Sequence, residues 1–171
     1  MGRKIYVGID NGTSGTIGWV GDNIEPGFIL TPSLKEQSYT KAKNIISRID
    51  HLSLKQVFIE DIMGGYSPND IFVVMERPRV NPKQFKTTMS AMRSLEATLC
   101  VIEDLGIAHA YCDSKDWQKV MLPKGTVGTP ELKKASLDIG CRLFPQFSEL
   151  IKKHTDADGI LMATWAQRIG L

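Results

Sequence analysis

Two short apolar runs in this chain each close on a carboxylate, and a later apolar segment opens with two more. Ile5-Tyr6-Val7-Gly8-Ile9 ends at Asp10 and is followed by the turn-rich Asn11-Gly12-Thr13-Ser14-Gly15. Ile71-Phe72-Val73-Val74-Met75 ends at Glu76. Asp156 and Asp158 precede Ile160-Leu161-Met162-Ala163-Thr164-Trp165-Ala166, which reads as a buried helix. The first two runs have the length and branched side chains of strands, and the second suits a central strand covered on both faces. A carboxylate at the end of a buried element needs a partner. Carboxylates on the first strand, a middle strand and the last helix imply a fold that gathers them around divalent cations.

The 171 residues fit one domain, 1–171, with one sizeable core. A hydrophobic fraction of 42% and a charged fraction of 23% exclude a disordered or fibrous chain. No apolar run approaches the ~20 residues of a membrane-spanning helix, so no membrane role is expected. Met1-Gly2-Arg3-Lys4 leads into a strand rather than a signal peptide. Cys100, Cys112 and Cys141 are widely spaced and form no CxxC pair, which argues against zinc and a disulfide framework. All three read as small buried hydrophobes, and a reducing cytoplasm is the expected compartment.

Net charge is only +2, but it is unevenly distributed. Residues 1–76 hold seven basic against nine acidic side chains, and residues 77–171 hold fourteen against ten. Between 77 and 95 stand Arg77, Arg79, Lys83, Lys86 and Arg93 with no acid among them. A basic stretch beside a candidate metal-binding glutamate suits a polyanion whose backbone must reach the metal. A solvated loop explains the stretch equally well on this feature alone.

Along the chain, strands are predicted over 4–10, 16–20 and 27–30, joined by the Asn11-Gly12 and Gly21-Asp22-Asn23 turns. Ala42, Ile45, Ile46, Ile49 and Leu52 have helical spacing and predict a helix over 38–52. Val57-Phe58-Ile59 fits either a strand or a helix that continues past Ser53. A fourth strand over 71–76 is followed by Pro78 and Pro82, which end regular structure. Met92, Leu95, Leu99, Ile102 and Leu105 share one face of a predicted helix over 89–105, stopped by Gly106. A fifth strand is expected over 107–111. Asp113-Ser114-Lys115-Asp116 predicts a capped short helix carrying Trp117, Val120 and Met121. Residues 123–128 form a loop, and Thr129-Pro130 opens a helix that stops before Pro145. The last helix is expected to start near Thr155. Trp19, Trp117 and Trp165 read as core. The order gives an α/β fold, a mixed five-stranded sheet with helices on both faces.

These pieces, in this order, resemble the ribonuclease H-like superfamily, and within it the RuvC-type Holliday-junction resolvases, particularly short phage-like ones. The resemblance spans nearly the whole chain. Gly8-Ile9-Asp10-Asn11-Gly12 is similar to the family's opening Gly-Ile-Asp-Pro-Gly, with Asn in place of Pro. Val73-Val74-Met75-Glu76 is similar to its second apolar strand, and Asp158-Gly159-Ile160-Leu161-Met162-Ala163 to its last helix. Trp117-Gln118-Lys119-Val120-Met121-Leu122 and Arg142-Leu143-Phe144-Pro145 resemble phrases of the phage-like members. The resemblance implies a crossover junction endodeoxyribonuclease, a homodimer that resolves four-way junctions by paired phosphodiester hydrolysis. The helix over 89–105 would form the dimer face. Asp10, Glu76, Asp156 and Asp158 would hold two Mg²⁺ ions ~3.5–4 Å apart, with Mn²⁺ as the alternative metal. Arg77, Arg79, Lys83, Lys86 and Arg93 would contact the DNA, with Lys115, Lys119 and Lys124 as a second path. Phe85, between Lys83 and Lys86, would stack on an unpaired base or anchor its loop.

One departure concerns the last helix. The family usually carries a further Asp about one turn before its final one. Here Thr155 and His154 occupy those positions, and Asp156 lies two residues from Asp158, about 200° around a regular helix. Asp156 reaches the metals if it precedes the regular helix, and His154 is the alternative ligand or proton carrier. Glu76 would lose its metal role if Arg77 were simply its salt-bridge partner. A different activity is implied by Asp10-Asn11-Gly12-Thr13-Ser14-Gly15-Thr16, which also resembles the phosphate loop of sugar kinases and heat-shock ATPases of the same fold. Those enzymes close two such domains on the nucleotide, and this length supplies one. The remaining alternatives are a nuclease on flaps, other branched DNA or RNA:DNA hybrids, and a non-catalytic DNA-binding module.

Overall fold

The first strand is the axis of the molecule. The computed structural model describes residues 5–171, so the reading of residues 1–4 lies outside the described residues. Strand β1 (Ile5–Ile9) pairs antiparallel with β2 (Thr16–Gly21) and parallel with β6 (Ile71–Glu76). β3 (Gly27–Leu30) extends the sheet beyond β2, and β7 (Ala108–Cys112) lies parallel beyond β6. The strand order is β3-β2-β1-β6-β7, a mixed five-stranded sheet.

Helices cover both faces. Ile5, Val7, Ile9, Val73 and Met75 point into one core with Leu54 of α1 (His51–Val57) and Val101 and Ile102 of α2 (Phe85–Asp104). Alternate positions Tyr6 and Val74 point to the other face. That face is covered by α6 (Asp158–Ile169), with α3 (Ser114–Met121), α4 (Thr129–Leu143) and α5 (Ser148–His154) around it. Trp19, Trp117 and Trp165 are buried as expected.

α6 lies against β1 and β2 because glycine clears its path. A Cβ on Gly8 would sit 2.1 Å from the Gly159 carbonyl oxygen, and one on Gly18 would sit 2.3 Å from the Ile160 Cα. Each is far inside van der Waals contact, with backbone or near-backbone atoms that have nowhere to go. The three glycines therefore set how near the first turn of the helix comes to the sheet.

Several expectations need correction. Residues 38–52 are not a helix. β4 (Ser33–Gln37) and β5 (Ile45–Ile49) form a separate antiparallel hairpin. Ile45, Ile46 and Ile49 are β-branched and favour strand. The turn is closed by Ser38 N–H to the Asn44 carbonyl at 2.7 Å, with Lys43 at φ 49°. The helix begins only after Asp50, whose side chain caps it by accepting the Ser53 N–H. It then continues as a π-helical stretch over Phe58–Met63, which decides the ambiguity at 57–59.

α2 starts at Phe85 rather than 89, and its buried residues are Ser94, Thr98, Val101 and Ile102, while Met92 faces out. Phe85 is thus the first residue of a helix, not a loop residue. α5 separates the two C-terminal helices that the sequence suggested, and it ends at Thr155 with φ 55°. The last helix therefore starts at Asp158 rather than near Thr155. Of the cysteines only Cys112 is buried; Cys100 is exposed.

Candidate metal centre

Parallel pairing fixes the first half of the site. Ile9 stands opposite Met75, so Asp10 and Glu76 follow side by side at the carboxyl ends of the two central strands. Side chains alternate along a strand, which puts Asp10 on the face of Gly8 and Glu76 on the face of Val74. Both carboxylates therefore look toward α6. Its glycine-cleared approach brings the other two.

Asp10, Asp156 and Asp158 each offer one carboxylate oxygen, and these oxygens lie within 4.8 Å of one another. The left-handed turn at Thr155 and the non-helical Ala157 place Asp156 ahead of the helix rather than on its far side. Asp156 Oδ1 accepts the Asp158 N–H at 2.7 Å and the Thr16 hydroxyl at 3.1 Å. Thr16 in turn accepts the Gly159 N–H at 3.1 Å. This buried threonine of β2 ties the entry of α6 to the sheet at the site. Asp158 Oδ1 accepts the hydroxyl of Ser136, from α4.

Glu76 stands outside that close group and is held from α3. The Ser114 hydroxyl donates to Oε1, and the Trp117 indole N–H donates to Oε2 at 3.2 Å. Arg77 is not its salt-bridge partner; the guanidinium pairs with Asp113 at 2.9 Å. His154, half-buried at the end of α5, is not in the carboxylate group.

The cluster is electrostatically strained. Burial pushes the Asp10 carboxyl well above the usual carboxylate range, and Asp156, Asp158 and Glu76 push it further, against Lys133 of α4. Asp158 is pushed up to about 7, first by burial and then by Asp156, against the Ser136 hydrogen bond and Lys133. Like charges this close cannot all ionise cheaply, and a cation relieves the cost. No basic side chain is hydrogen-bonded or ion-paired to Asp10, Asp156 or Asp158 among the described residues. An all-oxygen donor set of this kind fits a hard divalent cation such as Mg²⁺ or Mn²⁺.

The basic residues fall into separate places. Arg77 and Arg79 follow β6, and Lys83 lies in a single 3-10 turn, Pro82–Gln84. Lys86 and Arg93 line a groove between α2 and the β4–β5 hairpin. Lys115, Lys119 and Lys124 line a depression of about 660 Å³ between α3 and the 122–128 loop. Of the supporting set, Thr16, Ser114 and Trp117 carry other readings in the sequence, and Lys133 and Ser136 carry none. The one available signal is spacing. Lys133 and Ser136, like Ser114 and Trp117, stand three apart and share a helix face.

No family model matches this chain, and no curated protein matches it. Among solved structures it is similar to Thermus thermophilus RuvC. A RuvC from that organism in complex with a Holliday junction substrate aligns at TM-score 0.55 and 14% identity, over 98% of this chain and 96% of that one. A second Thermus thermophilus RuvC structure aligns at TM-score 0.52 and 15% identity, over 97% and 96%. At such identity the likeness is one of fold. The chain has the ribonuclease H-like α/β fold in its RuvC-like form.

Proposed function

We propose that this chain is a divalent-metal-dependent endonuclease that cuts branched DNA, four-way junctions above all, as a homodimer of the phage-like RuvC type. The observation that carries the reading is the convergence of Asp10, Asp156 and Asp158 at the carboxyl end of the sheet, with Glu76 beside Asp10. Asp10, Asp156 and Asp158 would hold the metal, with Glu76 completing the set on the β6 side. When bound, a pair of Mg²⁺ or Mn²⁺ ions supplies Lewis-acid activation of water and neutralises the charge that develops on the leaving oxygen.

The protein's own part is positioning. Thr16 orients Asp156, Ser136 orients Asp158, and Ser114 with Trp117 holds Glu76 in one rotamer. Such supporting partners are part of a metal site. Lys133 offers a positive charge at the rim, suited to a phosphate approaching the carboxylates. Arg79, Lys83 and Lys86 are exposed and beyond the Glu76 end of β6, where a DNA backbone entering the site would pass. A two-fold junction cut symmetrically needs two sites related by a two-fold axis. The outward face of α2, with Met92 and Glu96, is the proposed dimer contact.

The test is cleavage of a synthetic four-way junction with Mg²⁺, beside flap, RNA:DNA hybrid and linear duplex substrates. Paired nicks in the junction, absent in EDTA, are expected. Preferential cutting of flaps or hybrids would move the chain to a related nuclease, and junction binding with no cutting of any substrate would make it a binding module.

A further inference from the structure

The loop after β1 is held from both faces of the sheet. On the β2 side the Asp10 N–H donates to the Thr16 carbonyl at 3.0 Å, and the Gly15 N–H donates to the Gly12 carbonyl at 3.2 Å. The loop folds back so closely that a Cβ on Gly15 would sit 2.1 Å from the Asp10 carbonyl oxygen. The other hold comes from one residue. Asp10 turns its carboxylate toward α6, and Asn11 turns its side chain to the opposite face, where its amide donates to the Ala91 carbonyl of α2 at 3.2 Å.

That hydrogen bond stands where α2 is otherwise loosely held. No residue from Phe85 to Ala91 is buried, and the first buried side chain of the helix is Ser94. Thr88 hydrogen-bonds back to Asn81, ahead of the helix. Among the described residues no other hydrogen bond joins these first turns to the sheet or to the loop after β1. The bond is kept at a cost. Asn11 Oδ1 is buried and has no partner among the described residues, and an unpaired buried carbonyl opposes folding. An apolar side chain of similar size avoids that cost. The Pro of the motif that Gly8-Ile9-Asp10-Asn11-Gly12 resembles has no side-chain donor, so the link to α2 belongs to this chain.

We propose that Asn11 is a positioning residue for the metal centre, a latch that ties the strand end carrying Asp10 to the first half of α2. Asp10 and Asn11 share one rigid peptide unit, so a shift of one displaces the other. The carboxylate oxygens of Asp10, Asp156 and Asp158 lie within 4.8 Å of one another. A constellation of this kind works only when its members are held to within about 0.5 Å by the groups behind them. Coupling through the latch is reciprocal. A cation that orders Asp10 orders the first turns of α2, and whatever orders those turns raises the affinity for the cation. The proposal rests on the metal-centre reading of the carboxylates; the hydrogen bond itself does not.

The experiment compares the wild-type chain with Asn11→Leu and with Asn11→Ala, which adds no bulk to the loop. Mn²⁺ is titrated by calorimetry at neutral pH, melting temperatures are taken in EDTA, and hydrogen exchange in the first half of α2 is followed with and without Mn²⁺. Both variants should bind Mn²⁺ about ten- to a hundredfold more weakly, as when a partner behind a metal ligand is lost. Asn11→Leu should melt within about 3 °C of the wild type, because it removes one hydrogen bond and one unpaired carbonyl together. Mn²⁺ should slow exchange in the first turns of α2 in the wild type and, at equal saturation, leave it unchanged in the variants. Wild-type Mn²⁺ affinity in both variants, or Mn²⁺-dependent protection of α2 that survives in them, overturns the proposal. Weakened Mn²⁺ binding with a collapsed melting temperature in both marks Asn11 as merely structural and overturns it too. If the wild type binds no Mn²⁺, the metal-centre reading falls and the latch with it. If the wild type and the variants bind alike, the latch falls alone.

Discussion

The two faces of the sheet are built on different principles. On the α1–α2 face, Ile5, Val7, Ile9, Ile71, Val73 and Met75 meet large apolar side chains such as Leu54 and Phe58. On the α6 face β1 and β2 present Gly8 and Gly18, and the helix meets them through Gly159 and Ile160. The first face buries apolar area, at roughly 25 cal/mol per Å². The second gives some of that area up, and in exchange it fixes the distance between sheet and helix. That distance decides whether Asp156 and Asp158 reach Asp10. Both faces bury apolar side chains, and the α6 face in addition fixes position.

The largest expected effect lies at the carboxylates. Asp10→Asn and Asp158→Asn should each reduce Mg²⁺-dependent junction cleavage by well over about a hundredfold, beyond what loss of a supporting partner costs. Junction binding should persist or tighten, because the amides no longer repel phosphate. Steady-state nicking assays with parallel gel-shift titrations check this, and Glu76→Gln belongs in the same series. An Asp156→Asn variant that cleaves normally would restrict the site to Asp10, Glu76 and Asp158.

A stability effect of opposite sign to ordinary carboxylate pairing should follow from the same cluster. The folded-state pKa of Asp158 is raised to about 7, and that of Asp10 is raised well above its usual range. Raised carboxyls favour the fold while protonated and disfavour it once ionised. The metal-free protein should therefore lose stability as pH rises from about 4 to beyond 7, by up to about 4 kcal/mol for Asp158. Mg²⁺ should restore it most at the alkaline end. Thermal melts across pH, with EDTA or Mg²⁺, read this out, and Asp158→Asn should flatten the metal-free profile. A metal-free stability that rises over that window would contradict the assignment.

The comparison of faces is sharpened by one substitution on each. Gly8→Ala should cost about 1–3 kcal/mol or more through overpacking against backbone, and should cut cleavage further than the lost stability explains. Ile71→Ala on the other face should cost about 2–5 kcal/mol, while the folded fraction cleaves like the wild type. Equal loss of specific activity in both variants would erase the distinction. Smaller still, Thr16→Ala and Ser136→Ala should weaken Mn²⁺ binding by about ten- to a hundredfold while the fold is retained. His154→Ala should leave the pH–rate profile unchanged, since the imidazole is not in the carboxylate group.

What was legible in the sequence follows the same divide. Asp10 and Glu76 stand out because each ends an apolar strand, and strand periodicity is local. The sheet, its two covered faces and the buried tryptophans follow from such local patterns as well. The hairpin at 33–49 was illegible because Ile45, Ile46 and Ile49 satisfy a helical spacing as readily as a strand, and the turn that decides between them is carried by Lys43 and Asn44. The place of Asp156 turned on the backbone of Thr155 and Ala157, which no periodicity records. The roles of Ser136 and Lys133 depend on where α4 packs, a tertiary fact. Gly8 and Gly18 were visible as residues, but the helix they admit was not.

The central claim is that a close-packed helix completes a divalent-metal site on the sheet. It is tested most directly by titrating Mn²⁺ into the protein by calorimetry, at a pH near the Asp158 midpoint of about 7, where the carboxyl still holds a proton to release. The wild type should bind Mn²⁺ with release of protons, Asp158→Asn and Gly8→Ala should both lose that binding, and Ile71→Ala should keep it. Mn²⁺ binding of wild-type strength in Asp158→Asn, or its loss in Ile71→Ala as complete as in Gly8→Ala, would contradict the account.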